Sequence, residues 1–377
     1  MKPSLLLFLF LFYGQISFSQ IDKNATIETK SLFKYLKKTS KKHILFGHQH
    51  ATEYGHGWAG DSTRSDVKSV VGTHPAVIGV DLSGFYGLAE PTIEQNKEKL
   101  SKNVAETYNR GGITTVAWHF SNPASKGGFY WKDSVSVAAM ALIKPGGTHH
   151  EKYKEILKGI GNWANSVKGN DDQLVPMIFR PFHEFDGGWF WWGKPHCSRE
   201  NFIDVWQFTV SYLRDSMQVH NFIYAFSPDN KFTTEAEFLE RYPGNDFVDM
   251  VGMDNYGDFG RGGKYNLPAA VIKLKIIDNF ARKNNKLAAL TETGLEGLPD
   301  KTWWTESLLK SLKSKKMKLS YVLVWRNDSN SKTHFYVPYP GHPNVQNFID
   351  FYKHKYTYFE RDLRNVYGKN AKIHNSF

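Results

Sequence analysis

The chain of 377 residues carries 48 lysines and arginines against 37 aspartates and glutamates, a formal net charge of +11, and 41% of its residues are hydrophobic. That length suits one large α/β barrel or two ordinary domains, and no tract is of low complexity. A single cysteine, Cys197, excludes an internal disulfide framework and any zinc site built on paired cysteines. The basic excess lies in single lysines and short clusters, Lys37, Lys38, Lys41 and Lys42 in one and Lys313, Lys315, Lys316 and Lys318 in another. Each cluster precedes an expected strand, where a helix is ending and cations are favoured, so both read as solvated helix ends. No nucleic-acid motif accompanies them, and no nucleic-acid partner is expected.

In chain order, Lys2 precedes a wholly apolar run, 5–13, and Ser17 and Ser19 follow as in a cleavage site. Residues 1–19 are therefore expected to be a secretory signal peptide, and the mature chain secreted or periplasmic. The run is too short to span a bilayer, and no later stretch reaches the roughly 18 apolar residues of a spanning helix. No cysteine near the cleavage point could carry a lipid anchor.

The remainder, 20–377, reads as one domain. Residues 31–38 place Leu32, Phe33 and Leu36 on one helical face. Eight short apolar runs follow, at 43–46, 75–80, 113–117, 175–179, 221–226, 247–253, 287–290 and 319–324. Amphipathic stretches lie between most of them, among them 91–108, 151–167, 201–217, 269–282 and 303–312. Strands buried on both faces and alternating with helices imply a parallel sheet, and eight such units imply a single (β/α)8 barrel of the TIM type. Each run ends in polar residues: His48 and His50, Asp81, His119, Arg180 with His183 and Glu184, Asp229, Asp254 with Tyr256, Glu292, and Trp325 with Arg326. A barrel gathers all eight of those ends on one face, whereas an open doubly wound sheet has no reason to polarise every strand end. The long interval 121–170 is expected to shape a cleft on that face.

Chemistry concentrates in Arg180-Pro181-Phe182-His183-Glu184-Phe185-Asp186-Gly187-Gly188-Trp189-Phe190-Trp191-Trp192-Gly193. A buried strand stops in a cation, an imidazole and two carboxylates, and four aromatics follow without a period that would bury them on one side. Aromatic rings can cover the C–H faces of sugars while polar neighbours bind the hydroxyls. Glycosidic cleavage needs two carboxylates, and Glu184 and Glu292 stand at the ends of the fourth and seventh runs.

On these motifs the sequence resembles glycoside hydrolase family 26, whose characterised members are mostly β-mannanases built on barrels. The resemblance covers essentially the whole mature chain, and its most specific part is the run from Arg180 to Gly193. It implies a retaining double displacement with Glu184 as acid/base and Glu292 as nucleophile. It also implies substrate contacts from His119, His183, Trp189, Trp192, Asp254, Tyr256, Trp325 and Arg326, with Arg180 in support. The implied substrate is β-mannan or manno-oligosaccharide, without cofactor or metal, and a monomer is expected. Mixed-linkage β-glucan and β-1,3-xylan are the alternative substrates within the family.

Two further readings compete with this one. His48-x-His50 at the first strand end is how metal-dependent amidohydrolase barrels begin, but no Lys ends strand four, and strands five and six offer Asp229 and Asp254 in place of His. A carbohydrate-binding protein without catalysis would keep the aromatics and have no need of both glutamates. Asn24-Ala25-Thr26 and Asn327-Asp328-Ser329 match the glycosylation sequon. The tail, 358–377, reads equally as a last helix or a frayed end.

Overall fold

The computed structural model describes residues 20–134 and 136–368. The expected signal peptide and the last part of the tail lie outside the described residues. Eight parallel strands close into a barrel: β1 (Ile44–Gln49), β2 (Val77–Asp81), β3 (Ile113–Ala117), β4 (Met177–Arg180), β5 (Phe222–Phe226), β6 (Met250–Asp254), β7 (Leu287–Thr293) and β8 (Tyr321–Val324). Sequential neighbours pair throughout, and β8 returns to β1 with Leu45 opposite Tyr321 and His48 opposite Val324. Closure pairs all eight barrel strands on both sides, and side chains packed inside the barrel and helices outside it bury their two faces.

An amino-terminal helix, α1 (Ile27–Thr39), is capped by the Thr26 hydroxyl, which accepts the Thr29 N–H, and ends on Lys37 and Lys38. It buries Leu32, Phe33 and Leu36, the face expected from the sequence. The crossovers are α2 (Asp66–Val71), α3 (Thr92–Asn109), α4 (His150–Ala164), α5 (Arg199–Ser211), α6 (Glu235–Phe238), α7 (Leu267–Lys283), a π-helical stretch Trp303–Leu309 running into a helical turn Lys310–Lys313, and α8 (Val345–Lys353). The eight-unit barrel and single domain are as expected.

Strand limits differ from the apolar runs at their carboxyl ends. His48 and Gln49 lie within β1, and Thr291, Glu292 and Thr293 within β7, because the backbone ladder continues after the side chains turn polar. The tail does not form a last helix over its described part. Thr357 and Tyr358 add a short strand, β9, beside the start of β1, and the Tyr367 hydroxyl donates to the Gly112 carbonyl at 2.5 Å. Asn327 is buried, and its amide donates to Asp66 and to the Val337 carbonyl, so this sequon presents no free side chain. No helix among the described residues is long and apolar enough to cross a membrane.

Candidate active site

The carboxyl ends of the strands surround a cavity of about 380 Å³. Glu184, Glu292, His183 and Tyr256 form its floor and near wall, with His119, Trp189 and Trp325 beside them. Phe182 and Glu184 both have left-handed backbones, φ 49° and 53°, so the turn after β4 is strained. Strain of this kind persists where surrounding structure fixes it, and here the Glu184 N–H donates to the Ser227 carbonyl at 2.9 Å. Two glycines permit close approach. A Cβ on Gly187 would stand 2.3 Å from the Trp189 ring, and one on Gly294, where φ is +144°, 2.3 Å from the Tyr336 ring.

Arg180 organises the floor. Its guanidinium donates to Asp254 at 2.6 Å, to the Ser227 hydroxyl at 3.2 Å and to Glu292. Thr291 donates to the other oxygen of Asp254 at 2.7 Å. The Tyr256 hydroxyl donates to the second oxygen of Glu292 at 2.8 Å. Burial weakens the Arg180 charge, but Asp254 and Glu292 outweigh burial and keep it a cation. Burial and then the charge of Glu292 push the Tyr256 hydroxyl far up, so it remains a donor. Glu292 is thus held by a cation and a hydroxyl, its β7 strand fixing the carboxylate in place.

Glu184 sits in the opposite setting. Burial, then the charges of Asp254, Glu292 and Asp229, raise its carboxyl well above the ordinary range, and the Trp189 indole, donating at 2.6 Å, acts against them. One carboxyl pushed toward its protonated form on the same cavity as one in cationic company is an arrangement suited to proton donation paired with nucleophilic attack.

His183 is fully buried, and burial followed by Arg180 and His119 lowers its proton affinity far below the usual value. The neutral ring lies edge-on to His119 at 4.6 Å, and neither of its nitrogens has a hydrogen-bonding partner in the protein. His119 is anchored through Nδ1 to Asp81 and opens toward the cavity beside Phe129 and Trp325.

Three expected substrate contacts are placed elsewhere. Trp192 is fully buried and does not line the cavity, because its indole donates to the His183 carbonyl at 2.8 Å and its ring stacks beneath Phe190 at 4.4 Å. It supports the cavity wall from behind. Asp254 is also buried beneath the floor, consumed by Arg180 and Thr291. Arg326 is not among the residues lining the cavity and pairs with Asp328 at 2.5 Å, its guanidinium 5.8 Å from the Tyr54 ring.

Tyr130, in the 121–170 interval, and Phe190, in the aromatic run, also line the cavity, but four lining residues carried no sequence signal: Arg261, Glu296, His334 and Tyr336. They come from loops of irregular conformation. Tyr130 is bridged to Phe190 from within the 121–170 interval, and His334 meets Glu296 at 2.6 Å. Arg261 lies 4.4 Å from the Tyr256 ring.

Among the described residues, His48 in β1 and His50 just beyond it join no group of converging metal-ligand side chains. His48 is buried and held neutral at about 3, chiefly by burial, while His50 pairs with Glu53 at 2.7 Å. Among the described residues the one group with ligand-like convergence is His183, Asp254 and Glu292, and Arg180 already bridges its two carboxylates.

Residues 21–335 match the sequence profile of Glycosyl hydrolase family 26. A mannan endo-1,4-beta-mannosidase of Bifidobacterium adolescentis is 32% identical over 349 residues, 88% of this chain. The chain spans about a third, 34%, of that relative's length. One of Bacillus subtilis strain 168 is 23% identical, with 82% of each chain covered. Among solved structures, GH26C from a Muricauda species shares a TM-score of 0.86 and 36% identity, covering 92% of this chain and 95% of its own. A GH26 beta-mannanase from Bacteroides ovatus shares 0.83 and 37%, covering 93% and 99%.

Proposed function

From the membership of this chain in glycosyl hydrolase family 26, we propose that it is a retaining mannan endo-1,4-β-mannosidase with Glu292 as nucleophile and Glu184 as acid/base. The observation that carries the reading is the pair of carboxyls on one cavity, Glu292 bonded to Arg180 and Tyr256, and Glu184 driven toward its protonated form.

In the first step the ionised Glu292 attacks C1 of the mannosyl unit while the bond from C1 to the leaving oxygen breaks and Glu184 gives its proton to that oxygen. Once Glu292 is esterified, one negative charge near Glu184 is gone, which favours its ionised form. Glu184 then takes a proton from water as the water attacks C1, and Glu292 leaves as a carboxylate. The imidazoles of His183 and His119, with the ring of Trp325, offer a polar rim and an apolar face to the sugar. Export through the segment 1–19 is part of the same proposal.

The test is a product time course from linear mannan with purified chain, with mixed-linkage β-glucan and β-1,3-xylan in parallel. A ladder of manno-oligosaccharides is expected. One dominant disaccharide from the start would make the action exo, and activity confined to either other polymer would overturn the substrate.

A further inference from the structure

One lysine of the second cluster, Lys318, joins the first cluster at the amino-terminal end of the barrel, opposite the catalytic mouth. Lys37 lies in the last turn of α1, Lys41 two residues beyond its end, and Lys318 just ahead of β8, yet all three line one recess of about 200 Å³. Lys41 also lines an adjoining recess of about 730 Å³ with Lys38, Lys42 and Arg364. The larger recess is walled by Tyr35 and by the ring of Tyr358, on which His43 stacks at 3.9 Å.

Lys38, Lys41, Lys42 and Lys318 are exposed, and among the described residues no ion pair engages them or Lys37. Asp362 is the one carboxylate lining either recess among the described residues, and it already accepts the Phe359 N–H at 2.9 Å. The crowding is felt electrically: burial, then Lys41 and Lys318, lowers the proton affinity of Lys37. Cations gathered without counter-charges repel one another, and an entering anion relieves that repulsion.

We propose that this end of the barrel is a second carbohydrate site, taking acidic polysaccharide whose carboxylates pair with Lys38, Lys41 and Lys42 while its sugar rings lie against Tyr35 and the stacked pair of His43 and Tyr358. The concavity favours this partner. A recess of this size admits a run of sugar rings, whereas a bilayer surface would stand off its rim. Such a site would hold the molecule on an acidic matrix with its catalytic mouth facing away. The inference is independent of the proposed hydrolysis, since it is read by binding.

The experiment is affinity electrophoresis of the full chain at low salt in gels containing polygalacturonate, neutral dextran or no polymer. Retardation by polygalacturonate and not by dextran is expected, weakening as salt shortens the reach of charge from about 10 Å at 0.1 M toward about 3 Å at 1 M. Lys38→Glu with Lys42→Glu should weaken binding by about tenfold or more. Lys102→Glu with Lys158→Glu changes net charge equally on other helices and should stay within about twofold. Mannan hydrolysis should be unchanged in both pairs. Absence of retardation, or equal loss in the two pairs, would overturn the site. Tighter Lys38- and Lys42-dependent binding to phosphatidylglycerol vesicles or single-stranded DNA would overturn the assignment to polysaccharide.

Discussion

Asp81, at the end of β2, and His119, just beyond β3, are joined twice: His119 Nδ1 donates to Oδ2 at 2.5 Å, and its backbone N–H to Oδ1 at 3.2 Å. Burial opposes ionisation of Asp81, but the contact with His119, aided by His50, holds its carboxyl down at about 2. An ionised acceptor requires the proton on Nδ1, which leaves Nε2 to face the cavity. Asp81→Asn keeps the shape and removes the charge that fixes this tautomer. Hydrogen bonds to charged groups are worth about 1.5–3 kcal/mol, so kcat/KM on mannan should fall roughly tenfold to a hundredfold. Because the native carboxyl is depressed, its stabilisation is present above the unfolded value near 3.8 and is lost as pH falls through about 2. The Tm difference between wild type and variant should therefore close in strong acid, and kinetics unchanged at pH 7 would show that something else orients His119.

Glu292→Ala removes the attacking carboxylate but leaves Arg180 bonded to Asp254. Turnover should be abolished. With an aryl mannoside whose leaving group needs no proton, azide should enter the vacated space and give a glycosyl azide of inverted configuration. Absence of that product, with the variant folded by circular dichroism, would remove Glu292 from the nucleophile's role.

Much of the site was legible because a barrel turns sequence position into spatial position. The eight apolar runs became eight strands, and their polar ends, including Glu184, Glu292, His119 and Trp325, met on one cavity. What sequence could not separate was the cavity surface from its support. Trp189 and Trp192 lie three residues apart in one aromatic run, yet one bonds Glu184 and the other is sealed behind His183. Asp254 ends a strand as Glu292 does, but Arg180 draws it under the floor. Glu296, His334 and Tyr336 were invisible, since they belong to loops after β7 and β8 whose path follows no period. The link from Lys318 to Lys37 and Lys41 was missed for the converse reason, being a property of the closed barrel and of neither cluster.

Glu184→Gln retains a hydrogen-bond acceptor for Trp189 and deletes the acid. Loss of general acid catalysis should lower kcat/KM on mannan by roughly a hundredfold to ten-thousandfold, and less on substrates with good leaving groups. Stability should move the other way. Burial raises the native carboxyl above its unfolded value, so the folded chain binds more protons and loses stability as pH rises from about 4.5 toward the native pKa. Glutamine carries no such cost. Thermal melts should find the variant more stable than wild type at neutral pH and equal to it below about pH 4; a variant less stable at pH 7 would show that the Glu184 proton is not displaced by burial.

Trp189→Phe isolates a hydrogen bond that opposes this displacement. The indole N–H donates to Glu184 at 2.6 Å and favours its charged form, against burial and the neighbouring carboxylates. Phenylalanine keeps an aromatic ring over Gly187 but has no donor. Glu184 should then hold its proton to still higher pH, and the alkaline limb of the pH profile of kcat/KM, which reports the acid in the free enzyme, should shift upward. A rise in KM from the smaller platform would lower the whole profile without moving that limb, so position and height separate the two effects. A limb that stayed in place would mean that a group other than Glu184 titrates there, and a limb that moved down would reverse the sign assigned to the indole contact.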